Sequence, residues 1–263
     1  MDKITIKDVA RLAGVSVATV SYIINGKHED RYTSDTKRKV LQIVNLYSFR
    51  PSRLAQSFAL GKSRNVILLT DKHETLLQKA ESYDFLMALC KTFEGLGYSL
   101  IVRSYLENTR IDSADAIICV GMEEEKFRRL AQENFVPLIS VDGKINDNLF
   151  FQIYQDFNHV LQEGGKAFGK DNFKVALVDT YNETLKEEIR ALSDCFVFLD
   201  DAGKLPKGNI VTVHASLYDL CKAENRNTLF VPANTHARVD AVLDCFHQAV
   251  ERVQGTMHIV KVK

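Results

Sequence analysis

From Asn65 onward, short apolar runs alternate with stretches in which apolar residues recur at helical spacing, and no other feature limits the fold of this chain as much. The strand-like runs fall at 66–70, 99–105, 114–121, 137–142, 173–179, 209–214, 228–233 and 257–262. Helical patterns at 81–96, 123–133, 157–168, 183–192, 216–223 and 236–253 separate most of them. Strands that alternate with helices pair in parallel, because each helix carries the chain back across one face of the sheet. The expected body is therefore a doubly wound α/β structure. One connection breaks the pattern. The stretch from Tyr105 to Ala114 is too short for a helical crossover, so its flanking strands are either rearranged or not parallel neighbours.

The first 63 residues read differently, as short helices joined by tight turns. Thr5 and Asp8 stand three apart like a capping box, and Val9, Leu12 and Ala13 repeat at helical spacing. Gly14 supplies the left-handed backbone of a sharp turn. Ser16 then caps a second helix that runs to about residue 24, and Asn25-Gly26 stops it. A third helix spans about 36–47, and after Pro51 a short helical stretch covers 54–58. This head carries eleven Lys/Arg against five Asp/Glu, a net +6, whereas the remaining 200 residues carry 23 against 29, a net −6. A basic head on an acidic body points to a polyanionic partner for the head alone.

The second helix narrows that partner. With Val17 at 0° and about 100° per residue, Val17, Ala18, Ser21, Tyr22 and Asn25 fall within roughly 140° of one another. Val20, Ile23 and Ile24 fall on the opposite side, positioned to pack on Val9, Leu12 and Val40. A short helix with a slim, hydrogen-bonding outer face is what a DNA major groove admits. Ser16 and Thr19 flank it where phosphate oxygens would lie.

The run from Ile4 to Ser21, ITIKDVARLAGVSVATVS, resembles the signature of the lactose-repressor (LacI) family. Asn25-Gly26 and Arg53-Leu54-Ala55-Gln56-Ser57-Phe58 continue the likeness through that family's hinge helix. The resemblance implies that Val17, Ala18 and Tyr22 read base edges, with Thr5, Ser16, Thr19, Ser21 and Asn25 positioning the backbone. Arginine is common in the family where Tyr22 stands, which implies an operator without the usual guanine contact. In the hinge, the resemblance implies DNA contacts from Ser52, Arg53, Gln56, Phe58 and Ala59, with Phe58 as the wedge that enters the minor groove and kinks the central step. Phe58 packing on the body is the other reading. The loop 27–32 is slightly longer than usual, and Lys37 and Arg53 are expected on phosphates.

The body resembles the same family's effector domain, itself similar to periplasmic sugar-binding proteins, but with departures. Lys79-Ala80-Glu81-Ser82 stands where a polar-aromatic cluster would precede the first body helix, and 183–192 lacks Arg-x-x-Gly-Phe. Thr235 replaces a carboxylate after Ala233-Asn234, and Lys263 comes where a further strand and helix would follow. Asp142 matches a strand-end aspartate and is a candidate ligand contact. A sugar effector in the usual cleft, another ligand, or a body that only dimerises all remain open.

Other constellations point away from chemistry. Gly164 to Lys170 has the spacing of a phosphate loop, but Asp171 stands where Ser or Thr must bind magnesium and the run follows a helix; a helix cap and turn account for it. Cys245 and His247 point about 200° apart on a helix, so with His236 they make no metal site. Asp142 and Asp156 lack a nucleophile or second acid partner. Five dispersed cysteines without a C-x-x-C pair suit a reducing compartment. The absence of a signal-like start or a membrane-length apolar run places the chain in the cytoplasm by expectation.

The expected fold class is α + α/β: an N-terminal helix-turn-helix three-helix head with a hinge helix, then a shortened, doubly wound, periplasmic-binding-protein-like body. The expected domains are 1–48 for DNA binding, 49–63 for hinge and linker, and 64–263 for effector binding or dimerisation. The expected partner is a double-stranded, pseudo-palindromic DNA operator gripped by a homodimer, with a small-molecule effector as an open addition. No cofactor, metal, catalytic residue or membrane contact is expected.

Overall fold

The computed structural model describes residues 4–47, 49, 62–70, 75–105, 110–111, 113–200, 204–232, 235–251 and 258–263. The chain divides into two compact units, 1–63 and 64–263.

In the first unit, α1 (Ile6–Ala13), α2 (Val17–Ile24) and α3 (Ser34–Leu46) surround one small core, with a 3₁₀ turn at Glu29–Arg31 between the last two. Each helix begins on a side-chain oxygen that accepts an otherwise orphaned N–H. Thr5 caps α1 in a full capping box with Asp8, Ser16 caps α2, and Thr33 caps α3 two residues earlier than expected. Gly14 takes φ 71° and closes α1. Val9, Ala10, Ala13, Val20, Ile23 and Val40 form the core. Leu12, expected there, is 38% exposed. The buried residues of α1, Val9, Ala10 and Ala13, span an arc of about 100°, and Leu12 lies about 60° beyond its Val9 edge. Phe49, placed in the hinge by sequence, instead packs into this core, its N–H bonded to the Val44 carbonyl at 2.8 Å. The hinge helix expected at 54–58 lies outside the described residues.

The second unit holds two parallel sheets. The first has the order β10-β5-β4-β3-β1-β2 and is built from β1 (Asn65–Thr70), β2 (Ser99–Ser104), β3 (Ala116–Val120), β4 (Leu138–Val141), β5 (Phe151–Gln155) and β10 (Ile259–Val262). The second has the order β7-β6-β8-β9, from β6 (Lys174–Val178), β7 (Phe196–Leu199), β8 (Ile210–Thr212) and β9 (Thr228–Phe230). β1 lies between β2 and β3, so the short connection after Tyr105 joins strands that are not neighbours.

Helices cover both faces of each sheet. On the first, Val66 and Leu68 pack with α4 (Leu76–Gly95) and α9 (Thr235–Glu251), while Ile67 and Leu69 pack with α5 (Glu124–Glu133) on the other face. That double burial is why β1 reads as a continuous apolar run. On the second sheet, α6 (Phe157–Phe168) and α7 (Glu183–Leu192) cover one face and α8 (Ala215–Ala223) the other. The chain crosses from the first sheet to the second after β5 and returns after β9.

Three readings need correction. α4 starts at Leu76, not at 81, because Thr75 and Gln78 form a capping box that marks the true start. Lys79 to Ser82 therefore lie inside the helix rather than before it. β5 and β7 were not expected. β5 contains Gln152, fully buried, whose amide donates to the Asp147 carbonyl and accepts from the Ile145 N–H. β7 is a four-residue edge strand directly after α7, too short for periodicity to separate it from a helix end.

The phosphate-loop look-alike is the last turn of α6, closed by Gly169 at φ 84°. Gly164 serves packing: a Cβ there would lie 2.5 Å from the Phe173 ring.

Candidate nucleic-acid interface

α2 presents two unlike faces. Val20 and Ile23 are buried and Ile24 packs beside them, whereas Val17 is 41% exposed and Ala18 and Asn25 are exposed. Ser21 and Tyr22 are half-buried. An exposed valine at the first turn of a helix, on the side away from the core, has no packing role of its own.

The polar residues around this face are already engaged within the head. Thr5 donates its hydroxyl to the Asp8 carboxylate at 2.6 Å, which holds that carboxyl below its ordinary pKa. Ser16 Oγ accepts from the Thr19 N–H at 3.0 Å and lies 2.9 Å from the Thr19 hydroxyl. Asn25 Nδ2 donates to the Ser21 carbonyl at 2.8 Å. These bonds fix the side chains at the rim of the outward face of α2. Lys37, expected on a phosphate, forms an ion pair with Glu29 at 2.9 Å, which raises its pKa. Arg11 and Arg38 pair with Asp8 and Asp35. Lys7, Lys27, Arg31 and Lys39 make no ion pair among the described residues, so each adds positive charge to the head. Ser52, Arg53, Gln56, Phe58 and Ala59 lie outside the described residues.

One residue of this face escaped the sequence reading. The His28 ring lies 4.6 Å from the Tyr22 ring, tilted by 60°. The only available signal was the longer loop after Gly26.

The second unit contains a cleft of about 910 Å³, walled by the C-terminal ends of strands from both sheets and by α4, α8 and α9. The ends of parallel strands are where doubly wound folds place ligands. Asp142, the strand-end candidate, is ion-paired to Arg238 of α9, whose guanidinium carbon lies 4.2 Å from the Phe85 ring centre. Burial lowers the Arg238 pKa to about 10, against the opposing charge of Glu81. Gln155 is 6% exposed, and neither of its amide atoms finds a hydrogen-bonding partner among the described residues; Arg238 Nε and Ser216 Oγ are buried in the same condition. Glu81 joins the α4 wall to the other sheet, bonding the Ser216 N–H at 2.7 Å and His214 at 3.3 Å. Asp156 caps α6 through the N–H groups of Asn158 and His159. Cys245 is a core thiol that burial pushes up to about 12, and no metal-holding cluster exists among the described residues. No described helix is long and apolar enough to cross a membrane.

Residues 5–52, the span that contains this face, match the family described as bacterial regulatory proteins, lacI family. The head is thus similar to the DNA-binding segment that this family model describes. Similarity to lacI-type proteins runs well past it. The chain is 27% identical over 190 residues to the fructose operon regulatory protein of Vibrio cholerae serotype O1, covering 68% of this chain and 58% of that protein. It is 27% identical over 183 residues to the HTH-type transcriptional repressor PurR of Photobacterium profundum, covering 63% and 54%. The chain thus spans less than two thirds of these curated relatives. Its fold is similar to that of the lac repressor dimer bound to operator and the anti-inducer ONPF, with a TM-score of 0.66 at 14% identity over 99% of this chain and 96% of that one.

Proposed function

We propose that the chain is a sequence-specific DNA-binding transcription regulator, a repressor of the LacI type acting in the cytoplasm. The observation that carries this reading is the exposure of Val17 and Ala18, with Tyr22 half-exposed beside them, on a helix whose opposite face is buried, within a span that matches the lacI family. Val17 and Ala18 suit van der Waals contact with thymine methyl groups, and the Tyr22 hydroxyl suits an acceptor on a base edge. Thr5, Ser16, Thr19, Ser21 and Asn25 hold the register on the phosphates. In the hinge, Ser52, Arg53, Gln56 and Ala59 contact the DNA, Arg53 at a phosphate, and Phe58 wedges into the minor groove. One reading helix discriminates too few base pairs alone, so two chains bind a pseudo-palindromic operator as a homodimer.

The test is a binding selection of the full chain on random duplexes at controlled salt. An enriched pseudo-palindrome, with affinity falling steeply as salt rises, is the expected result. Indifference to sequence at low ionic strength overturns the proposal and favours a paralogue that dimerises without an operator.

A second reading concerns the body. The buried, unpartnered Gln155 amide and Arg238 Nε in the cleft support a small-molecule effector that controls DNA release. Thermal melting against sugars and phosphorylated sugars tests it, since a ligand of the native state raises the midpoint.

A further inference from the structure

The His28–Tyr22 ring pair stands on a loop that is built rather than loose. After α2, Gly26 takes φ 61° and His28 takes φ 51°, ψ 51°, two left-handed residues separated by Lys27. Left-handed backbone is unfavourable for a residue with a Cβ and persists only where neighbouring contacts hold it. Three such contacts are present. The Lys27 N–H bonds the Tyr22 carbonyl at 2.9 Å, the Arg31 N–H bonds the His28 carbonyl at 2.9 Å, and Glu29 ties the 3₁₀ turn to α3 through Lys37 at 2.9 Å. Together they turn the chain back so that the His28 ring meets the Tyr22 ring. Neither the Tyr22 hydroxyl nor the imidazole has a hydrogen-bonding partner among the described residues, and the His28 ring packs against the Tyr22 ring at 4.6 Å.

We infer that His28 is a positioning residue, which braces the Tyr22 ring in one orientation and thereby sets the base preference read at that point of the operator. A tyrosine on a half-exposed helix face has more than one staggered χ1 well, and each aims the hydroxyl at a different place in the groove. Removing the brace spreads the ring over those wells, and a hydroxyl that samples several positions discriminates less. The expected loss is about 2- to 10-fold in preference at a single base pair, the range an aromatic pair contributes. The inference rests on the DNA-binding reading of the head and adds a residue from outside the recognition helix.

The experiment compares full-length wild type, Tyr22→Ala, His28→Asn and His28→Phe in the random-duplex selection, with thermal melting of each. Asparagine removes the ring while tolerating the left-handed backbone, and phenylalanine keeps a ring in place. His28→Asn is expected to flatten the preference at the same base pair that Tyr22→Ala flattens, at unchanged melting, and His28→Phe to restore it. NMR of the DNA-free protein is expected to show the Tyr22 ring protons shifted in His28→Asn and near their original positions in His28→Phe. A selective wild type whose His28→Asn variant keeps the same preference overturns the inference alone. An even loss of affinity on all duplexes does so too, since it marks a phosphate contact. A wild type with no sequence preference at all removes the DNA-binding reading and this inference with it.

Discussion

The Glu81 carboxylate on α4 meets His214 Nδ1 at 3.3 Å, joining a helix packed on the first sheet to the strand end of the second. Burial works to raise the Glu81 pKa, but His214 and the Ser216 N–H outweigh it and hold the carboxyl at about 2, down from 4.5. A carboxyl depressed in the folded state stabilises the fold above its unfolded pKa and loses that contribution as pH falls through the folded value. The window is therefore pH 4.5 down to about 2, and the contribution at neutral pH is about 3 kcal/mol. Glu81→Gln is expected to lower the melting temperature at pH 7 and to flatten its decline across that window. A variant whose Tm–pH curve parallels wild type would show the link to be idle.

Arg238 and Asp142 lie 96 residues apart in the chain and meet as an ion pair. Arg238→Ala removes the pair and the cation over the Phe85 ring, leaving a part-buried carboxylate behind. The expected cost is about 2 kcal/mol, below the full value for a buried pair because Asp142 keeps some contact with solvent. The Asp142→Asn, Arg238→Met double variant is expected to recover part of it. Urea denaturation midpoints of the three proteins decide the matter.

Gly164→Ala places a methyl group against the Phe173 ring where the gap admits none. Overpacking of this kind costs about 1–3 kcal/mol. Gly164→Ala combined with Phe173→Leu is expected to be less destabilised than the sum of the two single changes, because the new methyl then has room. Nucleotide is expected to leave the melting temperature of either variant unchanged.

Within the head, capping and reading separate cleanly. Ser16→Ala deletes the acceptor for the Thr19 N–H and is expected to cost about 1 kcal/mol of head stability. Val17→Ala removes an exposed side chain and is expected to leave stability within about 0.5 kcal/mol while changing duplex preference. Melting and duplex binding measured on both variants test that contrast; a Val17→Ala protein with wild-type base preference would remove Val17 from the reading face.

Phe58→Ala is expected to reduce both operator affinity and bending, since an apolar wedge couples unstacking of a base step to the kink. A gel-based bending assay on permuted operator fragments measures both. An unchanged bend angle would assign Phe58 to packing instead.

The head was legible because its instructions are short-range. Thr5 with Asp8, Ser16 with Thr19, and Gly14 each act within one turn of their own position, and the Val20–Ile23 stripe repeats at the helical period. Where a local signal was overlooked, as with the Thr75–Gln78 capping box, it was still present in the sequence. β5 is different in kind. Gln152 looks like a surface residue until the loop before it folds over and supplies a carbonyl and an N–H for its amide. Lys37 likewise counts toward a basic face until Glu29 comes beside it.

What the sequence determined alone is the described helices and most of the described strands, their caps and turns, and the two-faced character of α2. All of these depend on sterics and hydrogen bonds spanning a few residues. Strand order, the burial of Gln152 and Gln155, the meeting of Arg238 with Asp142, and the turn of His28 onto Tyr22 were decided only in three dimensions. The same side chains suit many partners, and packing alone selects one.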